Sequence, residues 1–146
     1  DLVRSRGLGD VYKRQIAVKD FEITRFLYEN GFVEDQVAYN KYFLEPSEEE
    51  REAWKLSMKN KTASLIVLVS ILKTACCAAP LQKDEIHGEE IAEAIARSIN
   101  FLPTELSTHL LKILEASTKF GENTHENVDL FMKKVINELL IWGKML

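Results

Sequence analysis

The stretch ASLIVLVSILKTACCAA, Ala63 to Ala79, constrains the fold more than any other part of the chain. With Lys73 as its one charge, a helix made from it has no polar face to turn toward water. Such a helix is either enclosed by other helices or inserted in lipid. A bilayer core about 30 Å thick takes about 20 apolar residues, so this stretch lies at the short edge of a span. Its flanking lysines, Lys59, Lys61 and Lys83, settle no orientation. The cheaper reading is a central helix buried on all sides by neighbours, with a transmembrane span as the alternative.

The neighbours are helical too. There is little period-2 alternation, and Gly and Pro fall where they punctuate helices. A first helix is expected at about 18–30, with Ile23, Phe26 and Leu27 on one side, stopped at Asn30-Gly31-Phe32. Gly31 would take the left-handed conformation of a Schellman stop, with Phe32 against Leu27. A second helix at about 34–44 points Val37, Ala38 and Tyr42 inward, and Pro46 ends it. Ser47 with Glu50 makes a capping box, followed by a helix in which Trp54, Met58, Leu65, Leu68, Val69, Leu72 and Cys76 are in phase. That helix either runs from 47 to about 78 or breaks near Lys59–Thr62, four polar residues.

Beyond Pro80 and a charged loop, a helix at 89–100 carries Ile91, Ile95 and Ile99 on one face. Pro103 suits the first turn of the next helix, with Leu106, Leu110, Ile113 and Leu114 inward as far as Gly121. Asn123 or Thr124 caps the last helix. There Val128, Met132, Val135, Leu139, Trp142 and Leu146 form a heptad seam, widened by Phe131, Ile136 and Leu140. The expected fold is all-α, a compact bundle of five to seven helices.

The opening residues do not join this pattern. Ser5 to Gln15, SRGLGDVYKRQ, resembles the in-frame translation of a transposon-end adapter used in DNA library preparation, in which GATGTGTATAAGAGACAG reads Asp-Val-Tyr-Lys-Arg-Gln. Gly7-Leu8-Gly9 is no dinucleotide fingerprint, because Tyr12 occupies the third glycine position and no apolar strand precedes it. Residues 1–15 are therefore expected to be a non-native, disordered segment, and 16–146 a single helical domain from an environmental gene fragment. Setting aside Arg4, Arg6, Lys13, Arg14, Asp1 and Asp10 leaves 15 basic and 21 acidic side chains, a formal charge of −6. Such a surface repels phosphate backbones and anionic lipid, which argues against nucleic-acid and membrane-surface binding.

Catalytic signatures are few. Cys76 and Cys77 are adjacent, so they cannot readily bridge each other or share a metal, and with no other cysteine there is no disulfide framework. A cytoplasmic, reducing setting is the expectation. An apolar setting raises a thiol pKa and dulls it as a nucleophile. His87, His109 and His125 lie in different elements, and no HExxH, Gly-x-Ser-x-Gly or phosphate loop is present. A non-catalytic protein is expected.

One loop has the composition of a ligand site. Asp84-Glu85-Ile86-His87-Gly88-Glu89-Glu90 gathers four carboxylates, an imidazole and a glycine between two helices. Oxygen-rich loops suit hard cations such as calcium, which takes six to eight oxygens, although EF-hand spacing is absent. The competing reading is an ordinary helix start, with Glu89 and Glu90 serving the dipole. Residues 65–105 also resemble the repeat unit of tellurite-resistance TerB-like domains. Leu65 to Ala79 stands for the buried helix, Asp84 to Ile86 for the acidic loop, and Glu89-Glu90 for the opening of an amphipathic helix. Leu102-Pro103-Thr104-Glu105 stands for the turn into the next. Lys83-Asp84-Glu85 replaces that family's Ala-Asp-Gly, and Pro80-Leu81-Gln82 lengthens the loop. The resemblance implies a helical, acidic, stress-associated domain with metal at Asp84, Glu85 and Glu89; Glu90 completes the candidate set.

Two functions follow. One is a non-catalytic helical protein-interaction module, self-associating where the partner is a second copy, acting through Val128, Met132, Val135, Leu139 and Trp142. The other is a cation-responsive domain with calcium at Asp84–Glu90. The breadth of the seam favours burial in the domain's own core over a partner.

Overall fold

The computed structural model describes the backbone of residues 2–144 and the side chains of residues 15–143. Its described residues form seven α-helices and no strand: α1 (Leu2–Glu29), α2 (Glu34–Leu44), α3 (Glu48–Ser57), α4 (Lys61–Ala78), α5 (Gly88–Asn100), α6 (Thr104–Glu115) and α7 (Thr124–Lys144). Short 3-10 turns, Ala79–Lys83 and Ala116–Lys119, follow α4 and α6. The first helix begins at Leu2 rather than near 18. Residues 2–17 contain no proline, and extending an established helix costs little once packing has nucleated it.

α4 lies at the centre, in contact with α1, α2, α3, α5 and α6. Leu68, Val69, Ile71, Leu72, Ala75 and Cys76 are buried there, while Ile66 and Ser70 remain exposed, so enclosure is not complete. The span Lys61–Lys83 is long and apolar enough to cross a membrane by length and composition, and 56% of its apolar window is buried inside the bundle. Of the two readings for residues 47–78, the break is the one observed. Asn60 is extended, its side chain accepts the Ala63 N–H at 3.1 Å, and the Ser64 hydroxyl donates to the Ser57 carbonyl at 2.8 Å. At the other end of α3, the Ser47 Oγ accepts the Glu50 N–H at 3.1 Å, the N-cap half of the expected box.

The Schellman stop of α1 is complete. Gly31 has φ +88°, the Phe32 N–H reaches the Leu27 carbonyl at 2.9 Å, and the Gly31 N–H reaches that of Tyr28 at 3.1 Å. The buried face of α1, however, is Ala17, Val18, Phe21 and Thr24; Ile23 and Phe26 are exposed. Small residues, Ala17 on α1 and Ala75 and Ala78 on α4, are all buried, which suits close approach of the two helices. On α2, Val37 is buried as expected, but Ala38 and Tyr42 face water, and Asn40 and Leu44 take the inward places. Apolar residues lie almost all round α2, so its neighbours decide which of them are covered.

The second half follows the expected phase. Ile91, Ile95 and Ile99 of α5 and Leu106, Leu110, Ile113 and Leu114 of α6 are buried. Pro103 precedes α6 as an extended cap residue instead of occupying its first turn. Asn123 is the cap of α7, its Oδ1 accepting the Glu126 N–H at 3.0 Å. α1 holds this start from the side. The Glu22 carboxylate accepts the Thr124 hydroxyl at 2.7 Å and the Asn127 amide at 3.1 Å, a negative charge at the positive end of the helix. Arg25 donates to the carbonyls of Phe120 and Gly121 at 3.2 and 2.8 Å. Phe120 stands edge-on to both Phe21 and Phe131, with ring centroids 5.0 and 6.2 Å apart.

Candidate functional site

The acidic loop is built as a helix start. One oxygen of Asp84 accepts the N–H groups of Ile86 and His87 at 3.1 and 2.8 Å; the other accepts the Tyr28 hydroxyl at 3.2 Å. The His87 N–H above all holds the Asp84 carboxyl below its ordinary range. Glu90 pairs with Lys41 of α2 and with His87 Nδ1 at 3.2 Å, and His87 Nε2 lies 3.1 Å from Glu34. Glu34 first, and Glu90 next, push the imidazole above its ordinary value, while Lys41 chiefly lowers Glu90. Glu85 and Glu89 are exposed. Among the described residues no three His, Cys, Asp or Glu side chains are gathered as a metal site would need.

Asp84 already accepts three hydrogen bonds, which would compete with a calcium ion for its oxygens. The thermal midpoint of the full chain is therefore expected to move no further in excess calcium than in excess magnesium, where binding at a hundred times Kd would add ~2.7 kcal/mol. A calcium-selective rise that is lost in Asp84→Asn/Glu89→Gln would overturn this.

The heptad seam packs into the domain. Val135 and Leu139 are 3% and 7% exposed and belong to the main core with Phe131, while Val128 and Trp142 pack against it and Met132 is half-buried. Leu146 lies outside the described residues. The reason is plain in the topology: α7 packs on α6 and α1, which cover this stripe. What α7 leaves exposed is its flank, Ile136, Leu140 and Ile141.

A polar pair lies under the α6–α7 contact. His109 Nδ1 is 2.7 Å from Glu138 Oε2, and Lys134 is 3.4 Å from the other Glu138 oxygen. Both partners of the first pair are close to nine-tenths buried. The His109 contact is the main force holding the Glu138 carboxyl below its ordinary value. A depressed carboxylate contributes stability that is present above its unfolded pKa and lost as pH falls through its folded one. Acidification through that window should therefore cost stability that Glu138→Gln does not lose, read as Tm against pH. Parallel profiles for the two proteins would refute the linkage.

A concavity with a volume of about 350 Å³ lies elsewhere, between α1 and α2. Asp20, Ile23 and Thr24 come from α1, Tyr39 and Asn40 from α2, and Cys77 from α4. The Schellman turn brings α2 back beside α1, and Gln36 fastens the two by donating to the carbonyls of Thr24 and Phe32 at 3.3 and 2.8 Å. Thr24 and Asn40 are almost fully buried. The Thr24 hydroxyl lies 3.5 Å from Cys77 Sγ. The Asn40 amide donates to the Gln36 carbonyl at 2.8 Å, which fixes its orientation, and Asn40 Oδ1 has no donor among the described residues. A buried acceptor left in that state costs about 1–3 kcal/mol.

Burial is the main force raising the Asp20 carboxyl above its ordinary value, with Lys73 opposing it. Burial likewise raises both thiols, Cys76 being fully enclosed, so neither cysteine is an activated nucleophile. Around the mouth stands an apolar strip. Ile23, Phe26, Tyr39, Tyr42 and Phe43 are each half or more exposed, and the Phe43 ring lies 4.6 Å from Tyr39 and 5.2 Å from Tyr42. The sequence carries one signal of this face: α1 and α2 have more apolar positions than a single buried stripe can use. The position of Asn40 inside a covered face has no such signal. No protein-family model, no curated protein and no solved structure matches the chain.

Proposed function

We propose that the chain is a non-catalytic helical protein-interaction module whose docking face is the exposed surface of α1 and α2, and whose partner offers a basic, partly apolar segment. The observation that carries this reading is the exposed strip of Ile23, Phe26, Tyr39, Tyr42 and Phe43. Contiguous apolar surface of this kind on a folded domain marks contact sites, and aromatic side chains concentrate binding energy in them. Charge supports the choice of partner: the chain is net acidic, and Asp20 and Asp35 border the cleft within the strip. A second copy of an acidic chain would bring like charges together there.

Panning a random peptide library on the immobilised full chain tests the proposal. Enriched peptides should combine Lys or Arg with apolar residues and lose at least about tenfold in affinity for Ile23→Lys/Tyr39→Lys, a hot-spot-sized effect at two exposed positions. Failure to enrich any peptide, or equal binding to the variant, would overturn it. The alternative reading, a TerB-like stress-associated domain binding a cation at Asp84–Glu90, expects the opposite result, a calcium-selective rise in the midpoint. The succession of α4, acidic turn, α5 and α6 is what that resemblance implies, and the calcium melts above decide it.

A further inference from the structure

We infer that the α1–α2 cleft is a socket for an organic cation, the guanidinium or ammonium end of a basic side chain from the partner segment, with Asn40 Oδ1 as its buried acceptor and Asp20 as its counter-charge. This rests on the docking reading above and names the group that the face would select. Three observations converge on it. No Lys, Arg or His lines the cleft among the described residues, whereas two carboxylates, Asp20 and Asp35, do. The buried Asn40 lines the same cleft; one of its amide hydrogens is held by the Gln36 carbonyl, and its carbonyl oxygen, without a donor among the described residues, can accept one. Ile23 and Tyr39 form its apolar walls, matching the methylene stem of a long basic side chain, and a Tyr face attracts cations.

The polar lining is therefore rich in acceptors and carries negative charge, a combination that favours cationic donors over neutral ones. Burial of Asp20 adds to this, because a carboxylate short of water gains more from a cation brought to it. Lys73, on α4, supplies part of that compensation from outside the cleft lining. A volume of about 350 Å³ accepts the end of one arginine or lysine side chain with room for water.

The test is an NMR titration of the full chain with n-butylguanidinium chloride, n-butylammonium chloride and neutral n-butylurea, following the side-chain amides of Asn40 and Gln36. Both cations should give saturable shifts at Asn40 in the millimolar range expected of so small a ligand. n-Butylurea should give none, and Asp20→Asn, nearly the same shape, should lose the response at least tenfold. The selected basic peptides should displace the cations. Absence of saturable shifts, equal shifts with n-butylurea, or an undiminished response in Asp20→Asn would each overturn the socket. Peptide binding that depends on Ile23 and Tyr39 without any cation response would remove the socket and leave the docking face. A cation response with no selectable peptide would do the reverse, leaving the cleft as a site for a free amine.

Discussion

Val135→Asp is expected to abolish the cooperative thermal transition of the domain. Val135 is 3% exposed inside the apolar core, where an ionised carboxylate would lose its hydration. Burying an unpaired charge belongs to the small class of substitutions that cost more than about 4 kcal/mol. That is comparable with the whole stability of many domains, ~5–15 kcal/mol. The adjacent change, Ile136→Asp, adds the same charge to a side chain that is 46% exposed, and should stay within about 0.5 kcal/mol of the parent. Circular dichroism melts of both variants, with size-exclusion profiles, separate a core seam from a partner seam. A folded Val135→Asp protein that has lost an association the parent shows would return this stripe to the surface.

Gly88→Ala should destabilise, although alanine in a helix ordinarily gains about 1 kcal/mol over glycine. Gly88 opens α5 against the backbone of the preceding 3-10 turn. A methyl group there would overlap the Gln82 carbonyl oxygen and lie 3.1 Å from its carbon. The Gly88 N–H also donates to the Asp84 carbonyl at 2.9 Å, so neither segment can withdraw without breaking the turn. Overpacking against backbone costs about 1–3 kcal/mol or more, which should lower Tm by roughly 5–10 °C. Gly121→Ala is the control, since a methyl group there meets open space. Equal midpoints for the two variants would show that the turn yields freely.

These two positions also mark what could be read from the sequence. The caps and stops were legible because they are local: Ser47, Asn123 and Gly31 act on amides or carbonyls within a few residues. So was the buried phase of α5 and α6, where polar residues leave only one apolar stripe. The facing of α1 and α2 was not, because Ile23 and Phe21, or Tyr42 and Leu44, are equally apolar and only their neighbours separate them. Gly88 reads as a turn residue of a cation loop until the approach of Gln82 is known. Of the carboxylates beside it, Asp84 and Glu90 are engaged by Tyr28, Lys41 and His87, contacts that no local spacing announces, while Glu85 and Glu89 stay exposed. The α1–α2 cleft joins residues from three helices, and no spacing along the chain announces Asn40 beside Thr24 and Cys77.

The side-chain bonds from Glu22 and Arg25 to the start of α7 span 95 to 105 residues. During synthesis, α1 leaves the ribosome long before the atoms that satisfy it exist. Phe21 waits on the same schedule for Phe120, so the first helix emerges with an aromatic face and two charged side chains lacking their final company. Contacts this distant in sequence slow folding, and incomplete chains display the surface they will later cover. Vectorial synthesis thus gives the segment around Phe21 a long exposure to chaperones and to other nascent chains.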